Sequence, residues 1–536
     1  MNKKFQYSCG CSFPAEKIDT LTKLHFDTDD IEIFDFSCQK TWDLISSGNT
    51  KGCFQLESRL GRSMAKKLKP ENIEQLSALI SIMRPGCLEA IRDGKTVSNH
   101  YIDKKNGLES IDYFHPSLEP VLHNTYGEMV YQEQAMEITK IVAGFDLQEA
   151  DMLRKAIGKK KPEEMAKVKF KFMEGSQKVG LLSISQSEEI FSWIEKSQRY
   201  SFNKSHAVSY AINAYLSAFT KAHFPKIFFA SYLRFAKDKI DPQDEIKALV
   251  QNANEMDIII HTPDIRNLNE FFILKNNQIY FGLTDIKGVG RSVFDKIINK
   301  LADINFVEMG WMNWLLFLNS INSTAAKALI KVGALNFINK TRNSMLFELS
   351  LISDLTIKEL ELLTSASGDS LDQRLHQILN CLKIHQNRKV KINDKIYLLN
   401  HPPYSLDDSP EWIADCEDSL LGCSITCSKL DMYDISMTNT TCKQFKNTTI
   451  KENIIIGGEI DYINITKTKT GKNPGSEMAF LTLIDNTGSI DSIIFFPDKY
   501  KEYKNLLFNG NIIIVKGNKS RTGDGLVVEK AYVAKT

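Results

Sequence analysis

The sequence predicts a multidomain protein that is mostly α-helical, contains a helix-hairpin-helix region and ends in a C-terminal β-barrel. Three observations carry this prediction. The 536 residues exceed one ordinary domain and indicate about three or four. Apolar residues recur at helical spacing from 55 to 235, and a G-x-G turn follows in the middle of the chain. After 450 the chain turns to short β-rich runs separated by Gly, Asn and Lys.

Composition is that of an ordinary folded protein, with 43% apolar and 25% charged residues. The net charge of +1 gives no overall attraction to nucleic acid, so any such argument is local. The ten cysteines are scattered, which disfavours a disulfide scaffold. The sequence contains neither a secretory signal nor an apolar stretch long enough to span a membrane. We expect a cytoplasmic protein, or one in the host cytoplasm if it is viral.

The helical region divides at its glycines and prolines. We predict helices in five stretches that end or begin at such residues. These are "PENIEQLSALISIM", ended by "RPG" at 84–86; "EMVYQEQAMEITKIVAGF", ended at Gly144; "LQEADMLRKAIG", ended at Gly158; "KPEEMAKVKFKFMEGSQKVG", begun at Pro162; and the apolar run after 206, ended near Pro225.

The remaining chain is less regular until the barrel. Residues 236–340 predict a linker, a short β segment ("NQIYFGLTDI") and small helices. Residues 341–400 are weakly patterned, with "TSASGDSLDQR" as a loop, and 401–440 are acidic and loop-rich. The barrel is predicted from "NIIIGGEIDYI", "MAFLTLIDNTG", "SIDSIIFFP" and "NIIIVKGNKS".

A basic run extends from Arg154 to Lys178. Its cations are residues 154, 155, 159, 160, 161, 167, 169, 171 and 178, against three glutamates. Arg and Lys pair charge with several donors, which suits phosphate. "GKKKP" is expected to form a turn carrying three ammonium groups. The alternative is a solvated helix face.

The stretch "YSFNKSHAVSY" is the sharpest motif. Asn203, Lys204, Ser205 and His206 can donate hydrogen bonds to a triphosphate or a sugar, and Tyr200 and Tyr210 can stack on a base. The alternative is an N-cap, in which Asn203 or Ser205 caps the following helix. Both interpretations are compatible, because a helix N-terminus is itself an anion site.

"IKGVGRSVFDKII" (286–298) predicts a helix-hairpin-helix. Gly288 and Gly290 permit a tight turn that presents backbone N–H groups to a DNA phosphate, with Lys287 and Arg291 beside them. The dinucleotide alternative lacks a third glycine and a preceding βαβ unit. "KALIKVGALNFI" (327–338) looks like a second, degenerate copy.

The barrel combines basic and aromatic residues, a pattern with which oligonucleotide-binding barrels hold single strands. The alternative is that the aromatics are ordinary core residues. The residues concerned are Lys467, Lys469, Lys472, Lys516, Lys519, Arg521, Phe480, Phe495 and Phe496.

Two N-terminal features bear on metal chemistry. Cys9 and Cys11 form the one close cysteine pair, but with Cys38 and Cys53 their spacing matches no known zinc module, so plain thiols are favoured. "FDTDDIEIFDF" places Asp27, Asp29, Asp30 and Asp35 together, and we interpret it as a solvated acidic loop rather than a catalytic site.

Taken together, several motifs make the segment from Trp42 to Lys300 resemble the fingers region of the bacterial replicative DNA polymerase III alpha subunit, a C-family polymerase. They are "FQLES" (54–58), "RPG" (84–86), "YGEMVYQEQ" (126–134), "ADMLRKAIGKKKPEEMA" (150–166), "FNKSH" (202–206) and "IKGVG" (286–290), in that order. "LLGCSITCSKLDMY" and the barrel extend the resemblance almost to the C-terminus. The implied fold is mostly α-helical fingers and helix-hairpin-helix regions followed by a C-terminal β-barrel (OB-fold).

The resemblance implies binding sites. Fingers of this family hold the incoming deoxynucleoside triphosphate (dNTP), which maps to Arg154, Lys155, Lys159, Lys160, Asn203, Lys204, Ser205 and His206. Most family members have arginine where Lys155 stands, and lysine lacks the planar fork. The hairpin, with Lys287, Gly288, Gly290 and Arg291, resembles the family's contact to the duplex backbone. The barrel, with Lys467, Lys469 and Phe480, resembles its contact to the single-stranded template.

The resemblance also has gaps. The palm, which precedes the fingers in the family, holds the carboxylates for two Mg²⁺ ions, and no such carboxylate motif occurs here. We therefore assign no catalytic and no metal-ligating residue, and expect a split polymerase, bacteriophage-encoded, that is inactive alone. A separate, palm-bearing polymerase chain would supply the carboxylates that hold Mg²⁺. The expected ligands of the present chain are dNTP and primer-template DNA. A sliding clamp is a further family partner, although "QRLHQILNCL" is a poor clamp motif. The alternative is an inactive DNA-binding or inhibitory module.

The predicted domains follow from these assignments. They are an N-terminal connector (1–50), helical fingers (51–235), a helix-hairpin-helix DNA-binding region (236–400), an acidic linker (401–450) and an OB-fold (451–536).

Overall fold

The structure is a computed structural model. It describes residues 4–6, 12–14, 36–159, 162–197, 200–302, 304–306, 309–380, 385–447, 452–468, 474–520 and 525–535. The chain forms two compact units, Met1–Phe228 and Phe229–Thr536, and each is described by itself. The finer division into five predicted segments stays a prediction.

The first unit is built mainly from helices. Its helices are α1 (Gln39–Ser46), α2 (Arg59–Leu68), α3 (Ile73–Ile82), α4 (Pro85–Glu89), α5 (Val97–Lys105), α6 (Glu119–Leu122), α7 (Gln132–Ala143), α8 (Leu147–Lys159), α9 (Pro162–Val179), α10 (Ile184–Ser197) and α11 (Lys204–His223). Two antiparallel pairs complete it: β1 (Lys4–Gln6) with β2 (Ser12–Pro14), and β3 (Ile91–Arg92) with β4 (Lys95–Thr96).

Local chemistry sets most of these helix ends. Asn72 caps α3 by accepting a hydrogen bond from the Gln75 amide. Gly144 ends α7 at a φ of +65°, a left-handed conformation that suits glycine. Pro162 is the first residue of α9, as predicted. Gly158 does not end α8, which continues to Lys159, because a single glycine weakens a helix without breaking it.

Two apolar cores hold the described part of the first unit. The larger contains Trp42, Tyr131 and Tyr215 and joins α1 and α3 to α11. The other contains Phe172 and Phe191 and lies among α7, α8, α9 and α10. Burial of such large side chains is the main stabilising contribution to the fold.

The second unit begins within α12 (Pro225–Phe235). Its further helices are α13 (Pro242–Glu255), α14 (Arg291–Leu301), α15 (Trp311–Asn319), α16 (Ser323–Lys331), α17 (Arg342–Ile352), α18 (Ile357–Ser365), α19 (Leu371–Leu379), α20 (Gln386–Asn400), α21 (Pro410–Leu421), α22 (Cys442–Asn447) and α23 (Pro497–Tyr503). The predicted loop "TSASGDSLDQR" is thus confined to 366–370, and the acidic 401–440 region contains the helix α21.

Two sheets belong to the second unit. A three-stranded sheet has the order β5 (Ile260–His261), β7 (Gln278–Tyr280), β6 (Ile273–Lys275). The C-terminal strands are β8 (Ile454–Lys467), β9 (Glu477–Asp485), β10 (Gly488–Phe495), β11 (Ile512–Lys519) and β12 (Leu526–Val533). They close a barrel in the order β10-β12-β11-β8-β9, in which only the β10–β12 pairing is parallel. The predicted fold class, helical regions followed by a C-terminal OB-like barrel, is confirmed.

No helix within the described residues combines the length and the apolar character needed to cross a membrane.

Candidate nucleotide and nucleic-acid interfaces

The polar tetrad of the first unit lies at the N-terminus of α11. Asn203 is the N-cap residue, and its Oδ1 accepts a hydrogen bond from the His206 amide at 2.9 Å. The Ser205 hydroxyl donates to the same oxygen at 2.7 Å. The N-cap alternative is therefore confirmed, and it fixes the backbone of the motif.

A carboxylate from α7 occupies the same helix end. Glu133 Oε2 accepts from the Lys204 amide at 2.9 Å, and its Oε1 accepts from Asn203 Nδ2 at 2.7 Å. A helix N-terminus attracts anions because unpaired amides and the helix dipole point outward there. Glu133 takes the place where the sequence predicted a phosphate. Glu133 lies in the motif "YGEMVYQEQ" (126–134). Its partner Lys204 is 71 positions away, so no local sequence pattern predicts the contact.

The Lys204 ammonium has partners of its own. It lies 3.4 Å from a carboxylate oxygen of Glu74 and 5.7 Å from the ring centroid of Tyr131. The Lys204 side chain remains 37% exposed, so it can still reach a ligand, although Glu74 offsets part of its charge.

A row of rings runs along one side of α11. Phe202, His206 and Tyr210 are four residues apart, with centroids separated by 5.3 and 4.1 Å. Phe54 lies 5.1 Å beyond Tyr210, and the Arg84 guanidinium lies 4.4 Å from the Phe202 centroid. His206 thus lies within a row of aromatic rings. Phe54, from the motif "FQLES", lies at one end of the row, and Arg84, from "RPG", lies at the other.

Tyr200 lies in different surroundings. It packs against the larger core of the first unit, and burial raises the pKa of its phenol. It also lines a cavity of about 840 Å³ together with Arg92, Lys104 and Trp193. Stacking of a base between Tyr200 and Tyr210 stays a prediction.

An ion network sits beside that cavity. Glu128 is buried, and its Oε1 accepts from Arg92 Nη2 at 2.5 Å and from the buried Lys104 ammonium at 2.8 Å. The Glu128 carboxylate therefore neutralises two cations. Because the carboxylate and Lys104 are buried, removing that negative charge would destabilise the fold.

The cations of α8 are paired within their own helix. Asp151 accepts from Arg154 Nε at 2.9 Å and lies 2.7 Å from the Lys155 ammonium. Hydrogen bonds from these two cations lower the pKa of the Asp151 carboxyl, and the bond from Lys155 has the larger effect. Asp151 stands just before the basic run, so counting charges from Arg154 onward missed it. Both cations remain exposed, at 41% and 58%.

Other cations of the run also have acidic neighbours. Lys171 pairs with Glu149, and the Lys178 ammonium lies 2.8 Å from Glu174. The Lys159 backbone lies in α8, but its side chain and all of Lys160 and Lys161 fall outside the described residues, so the "GKKKP" turn stays a prediction. The described part of the run fits a mixed, solvated face better than an uncompensated basic patch.

The first hairpin of the second unit presents bare amides. Gly288 adopts a φ of +96°, and Gly290 is the N-cap of α14 with a φ of −83° and no side-chain capping bond. Gly288 is therefore the residue that needs glycine's freedom, whereas Gly290 has an ordinary backbone. The first amides of α14 lack a side-chain cap, which favours an anion there.

The side chains beside that hairpin differ in availability. Arg291 pairs with Glu270 and donates from Nε to Asp295 at 3.0 Å. Lys287 is exposed, and its amide donates to the Leu420 carbonyl at 2.9 Å. Lys287 is thus the more accessible cation, and Arg291 would have to exchange a carboxylate for a phosphate.

The helix that follows the second, degenerate copy (327–338) begins against a carboxylate of the protein itself. The amides of Arg342 and Asn343, at the N-terminus of α17, donate to the two oxygens of Asp408 at 2.7 and 3.0 Å. The Arg342 guanidinium is buried and pairs with Glu417 at 2.9 Å. A carboxylate from the acidic segment thus occupies this helix N-terminus, as Glu133 does at α11.

On the barrel, Phe480 lies on the outer face of β9. Its neighbours in sequence, Ala479 and Leu481, belong to the barrel core, and its strand partners are Asn464 and Ile494. Phe480 is half-buried, so part of its ring is available. Phe495, by contrast, is a core residue, as the alternative for the aromatics proposed.

The predicted barrel cations are only partly described. Lys467 is exposed at the end of β8, in register with Glu477 of β9. Lys469, Lys472 and Arg521 lie outside the described residues. Lys519 lies 5.0 Å from the Phe445 ring centroid.

Within the described ranges, His, Cys, Asp and Glu side chains do not gather in threes to form a metal site. The acidic stretch Asp27–Asp35 and the pair Cys9 and Cys11 lie outside those ranges. The residues described here therefore offer no carboxylate set that fits a pair of Mg²⁺ ions, and we assign them no metal-dependent step.

Comparison with known families matches three regions, in the order of the fold. Residues 15–180 match the bacterial DNA polymerase III alpha subunit finger domain. Residues 257–345 match a helix-hairpin-helix motif, and residues 454–534 match an OB-fold nucleic acid binding domain. The matches thus give the order of a polymerase finger domain, a helix-hairpin-helix motif and an OB-fold nucleic acid binding domain.

Individual relatives extend this similarity over most of the chain. It is 32% identical to DNA polymerase III subunit alpha of Aquifex aeolicus (strain VF5), over 89% of this chain and 37% of the relative. It is 30% identical to DNA polymerase III subunit alpha of Staphylococcus aureus (strain MSSA476), over 91% of this chain and 42% of the relative. The chain is thus similar to DNA polymerase III alpha subunits over most of its own length, and it spans about two fifths of the length of these relatives.

Proposed function

We propose that the chain is a component of a DNA-directed DNA polymerase that acts in DNA replication and binds the incoming dNTP and primer-template DNA. One observation carries the proposal: the finger, helix-hairpin-helix and OB matches occur in one chain and in this order, within a similarity to polymerase alpha subunits that covers most of its length. The fold supports it, because each match coincides with elements of the expected kind.

In this proposal the first unit holds the nucleotide. Arg154, Lys155 and Lys204 approach the triphosphate with exposed cations, and each must exchange a carboxylate partner for phosphate oxygens. Carboxylates of the chain already neutralise these cations, so the free site attracts stray anions only weakly. A correctly placed triphosphate contacts several of the cations at once and can displace the carboxylates. The row of rings on α11 lies beside the nucleotide.

The second unit holds DNA. The bare amides at Gly290 and Arg291, with Lys287, take a backbone phosphate of the duplex. The outer face of β9, with Phe480 and Lys467, takes the single-stranded template by stacking and charge. Both contacts are independent of base sequence, as replication requires.

The chemical step needs Mg²⁺, which lowers the barrier to phosphoryl transfer when carboxylates hold it. We propose that the palm-bearing chain predicted from the sequence supplies those carboxylates, and that the present chain is inactive without it. We further propose, from the sequence resemblance, that the chain is encoded by a bacteriophage and that a sliding clamp is one of its partners.

The experiment is extension of a primed template by the purified chain, by a candidate palm-bearing chain, and by the two mixed. The proposal expects extension only in the mixture and only with Mg²⁺. Extension by the present chain alone would contradict the split arrangement, and no extension by a folded, associated mixture would contradict the polymerase role.

A second candidate function is an inactive DNA-binding or inhibitory module. The carboxylates of Glu133 and Asp151 at the predicted triphosphate contacts favour it. Such a module would bind primer-template with an affinity that does not change when the correct dNTP is added. A polymerase component would bind the same DNA more tightly with the correct dNTP than with an incorrect one.

A further inference from the structure

The cavity of about 840 Å³ in the first unit has no role in the proposed function. It lies between the β3–β4 hairpin, the segment after α5 and the helix α10, which contribute Arg92, Ser110 and Trp193 to its lining. None of the residues predicted to bind nucleotide or DNA lines it. A cavity of this size with polar and aromatic walls is a candidate binding site for a different ligand.

Two of the three cations that line the cavity are already bound by the protein. Arg92 and Lys104 share the buried Glu128 carboxylate, at 2.5 and 2.8 Å, and Asp93 lies 3.8 Å from Arg92. The third cation, Lys196, is exposed on α10 and forms no ion pair with a described residue. Among the described cations of the lining, Lys196 alone thus offers its charge to a ligand.

Carboxylates without a partner outnumber that cation. Three of them line the cavity and have no cation beside them among the described residues: Glu89, Asp112 and Glu189. Glu109 also lines it, but the Lys95 ammonium lies 3.3 Å from its carboxylate. The cavity therefore has a negative potential, which attracts a cationic ligand and repels the phosphates of nucleotides and DNA.

Two rings with polar atoms line the same cavity. Trp193 and Tyr200 are half-buried, and no described residue forms a hydrogen bond with the Trp193 indole N–H or with the Tyr200 hydroxyl. A planar cation can stack on such a ring while carboxylates accept hydrogen bonds from its N–H groups. Arginine combines these two properties, whereas lysine lacks the planar group.

Exposed apolar side chains lie around the cavity. Ile91, which lines it, is 72% exposed, and Leu108, the neighbour of the lining residue Glu109, is 75% exposed. Ile111 stands between the lining residues Ser110 and Asp112 and is also exposed. Apolar side chains around a charged pocket are typical of protein–protein interfaces. A small polycation would leave them in water, so the combination favours a protein segment.

We propose that this cavity is the docking site for a basic segment of the palm-bearing partner chain. An arginine of that segment stacks on Trp193 and pairs with Glu89 and Glu189, while an apolar neighbour covers Ile91 and Leu108. The docking site rests on the proposed function, because that function supplies the partner. It adds the place on the present chain at which the partner binds.

The test is titration of the full-length chain with the candidate palm-bearing chain by calorimetry. Glu89→Lys and Glu189→Lys should each raise the Kd about tenfold, with a larger effect at low salt. Trp193→Leu should raise it about fivefold through lost stacking. Glu188→Lys is the matched control, because Glu188 is the exposed neighbour of Glu189 on α10, lies outside the lining and should change the Kd less than about twofold.

Thermal unfolding checks that each variant is folded, and the two exposed glutamates carry the test if Trp193→Leu does not fold. Unchanged Kd values in both glutamate variants, in mixtures that still extend a primed template, overturn the docking site and leave the proposed function standing. Weakened association in a pair that never extends DNA contradicts the polymerase role alone. Wild-type chains that do not associate overturn both.

Other occupants of the cavity give different results. If the same variants lose binding of oligo(dT), or lose self-association of the present chain, while they keep the partner, the cavity belongs to a nucleic-acid base or to a second copy. Either result overturns the docking site.

Discussion

Glu133 of α7 and Asn203 of the α11 N-cap are joined by a hydrogen bond of 2.7 Å, and the same carboxylate accepts the Lys204 amide. Two elements that the sequence separates by about seventy residues thus share one anion-binding helix end. The chain supplies its own anion there, so affinity for a foreign anion depends on how easily Glu133 is displaced.

Glu133→Gln should therefore strengthen nucleotide binding. Removing the charge leaves the positive helix end uncompensated, and we expect dNTP affinity to rise about two- to fivefold. Titration with a fluorescent dNTP analogue measures it. Glu137→Gln is the control, because Glu137 lies one turn later on α7, is exposed and pairs with Lys140. Equal affinities for both variants would mean that no triphosphate binds at this helix end.

Arg154→Ala should weaken nucleotide capture more than DNA binding. Loss of a charge-assisted contact to phosphate predicts about a tenfold higher KM for dNTP in the assembled polymerase. Steady-state extension gives the KM, and fluorescence anisotropy gives the DNA affinity. The matched control is Lys178→Ala, which removes an exposed cation paired one turn away on α9. An unchanged KM in Arg154→Ala would remove this residue from the nucleotide site.

The two hairpin glycines should respond differently to substitution. Gly288→Val forces a β-branched residue into a φ of +96° and should destabilise the hairpin by about 1–2 kcal/mol while weakening duplex binding. Gly290→Ala should be tolerated, because an added Cβ meets no atom within 4 Å. Thermal unfolding and duplex anisotropy separate the effects. The reverse order of severity would contradict the assignment of Gly288 as the constrained turn residue.

Glu128→Gln should destabilise the first unit strongly. It leaves Arg92 and the buried Lys104 without their shared counter-charge, which costs about 3 kcal/mol in similar buried networks. Urea unfolding measures the loss. Glu174→Gln, in an exposed pair with Lys178, should change the free energy of unfolding far less. Similar losses for both variants would show that Glu128 has no special role.

Acid should weaken the second unit through Glu359. Its hydrogen bonds from Arg388, against some opposing desolvation, lower the pKa of its carboxyl from 4.5 to about 2. A lowered pKa favours the charged form in the folded state, so this contribution is complete above pH 4.5 and is lost as the pH falls through about 2. The stability difference between wild type and Glu359→Gln should shrink over that window. A difference that stays constant from pH 5 to pH 2 would rule this group out.

The sequence allowed short-range features to be predicted. Gly144 and Pro162 set helix ends by their own backbone preferences, and the short β-rich runs separated by Gly, Asn and Lys indicated the barrel. A cap at Asn203 or Ser205 was the alternative interpretation of the tetrad, and the structure shows Asn203 in that role, with its partner, the His206 amide, only three residues away.

The partners that decide the site were not predictable in this way. Glu133 reaches Lys204 across 71 positions, and Asp408 reaches Arg342 across 66. Only the packing of helices brings these groups together, and no local spacing encodes it. Asp151 is different, since it is three residues from Arg154 and a wider charge count would have included it.

Asp408 makes the helices after the two hairpin copies unequal. The first amides of α17 donate to its carboxylate, whereas α14 begins without a side-chain cap. Under the proposed function, a duplex phosphate would therefore find α14 open and α17 already occupied, so that the duplex would be held through one such helix end rather than two.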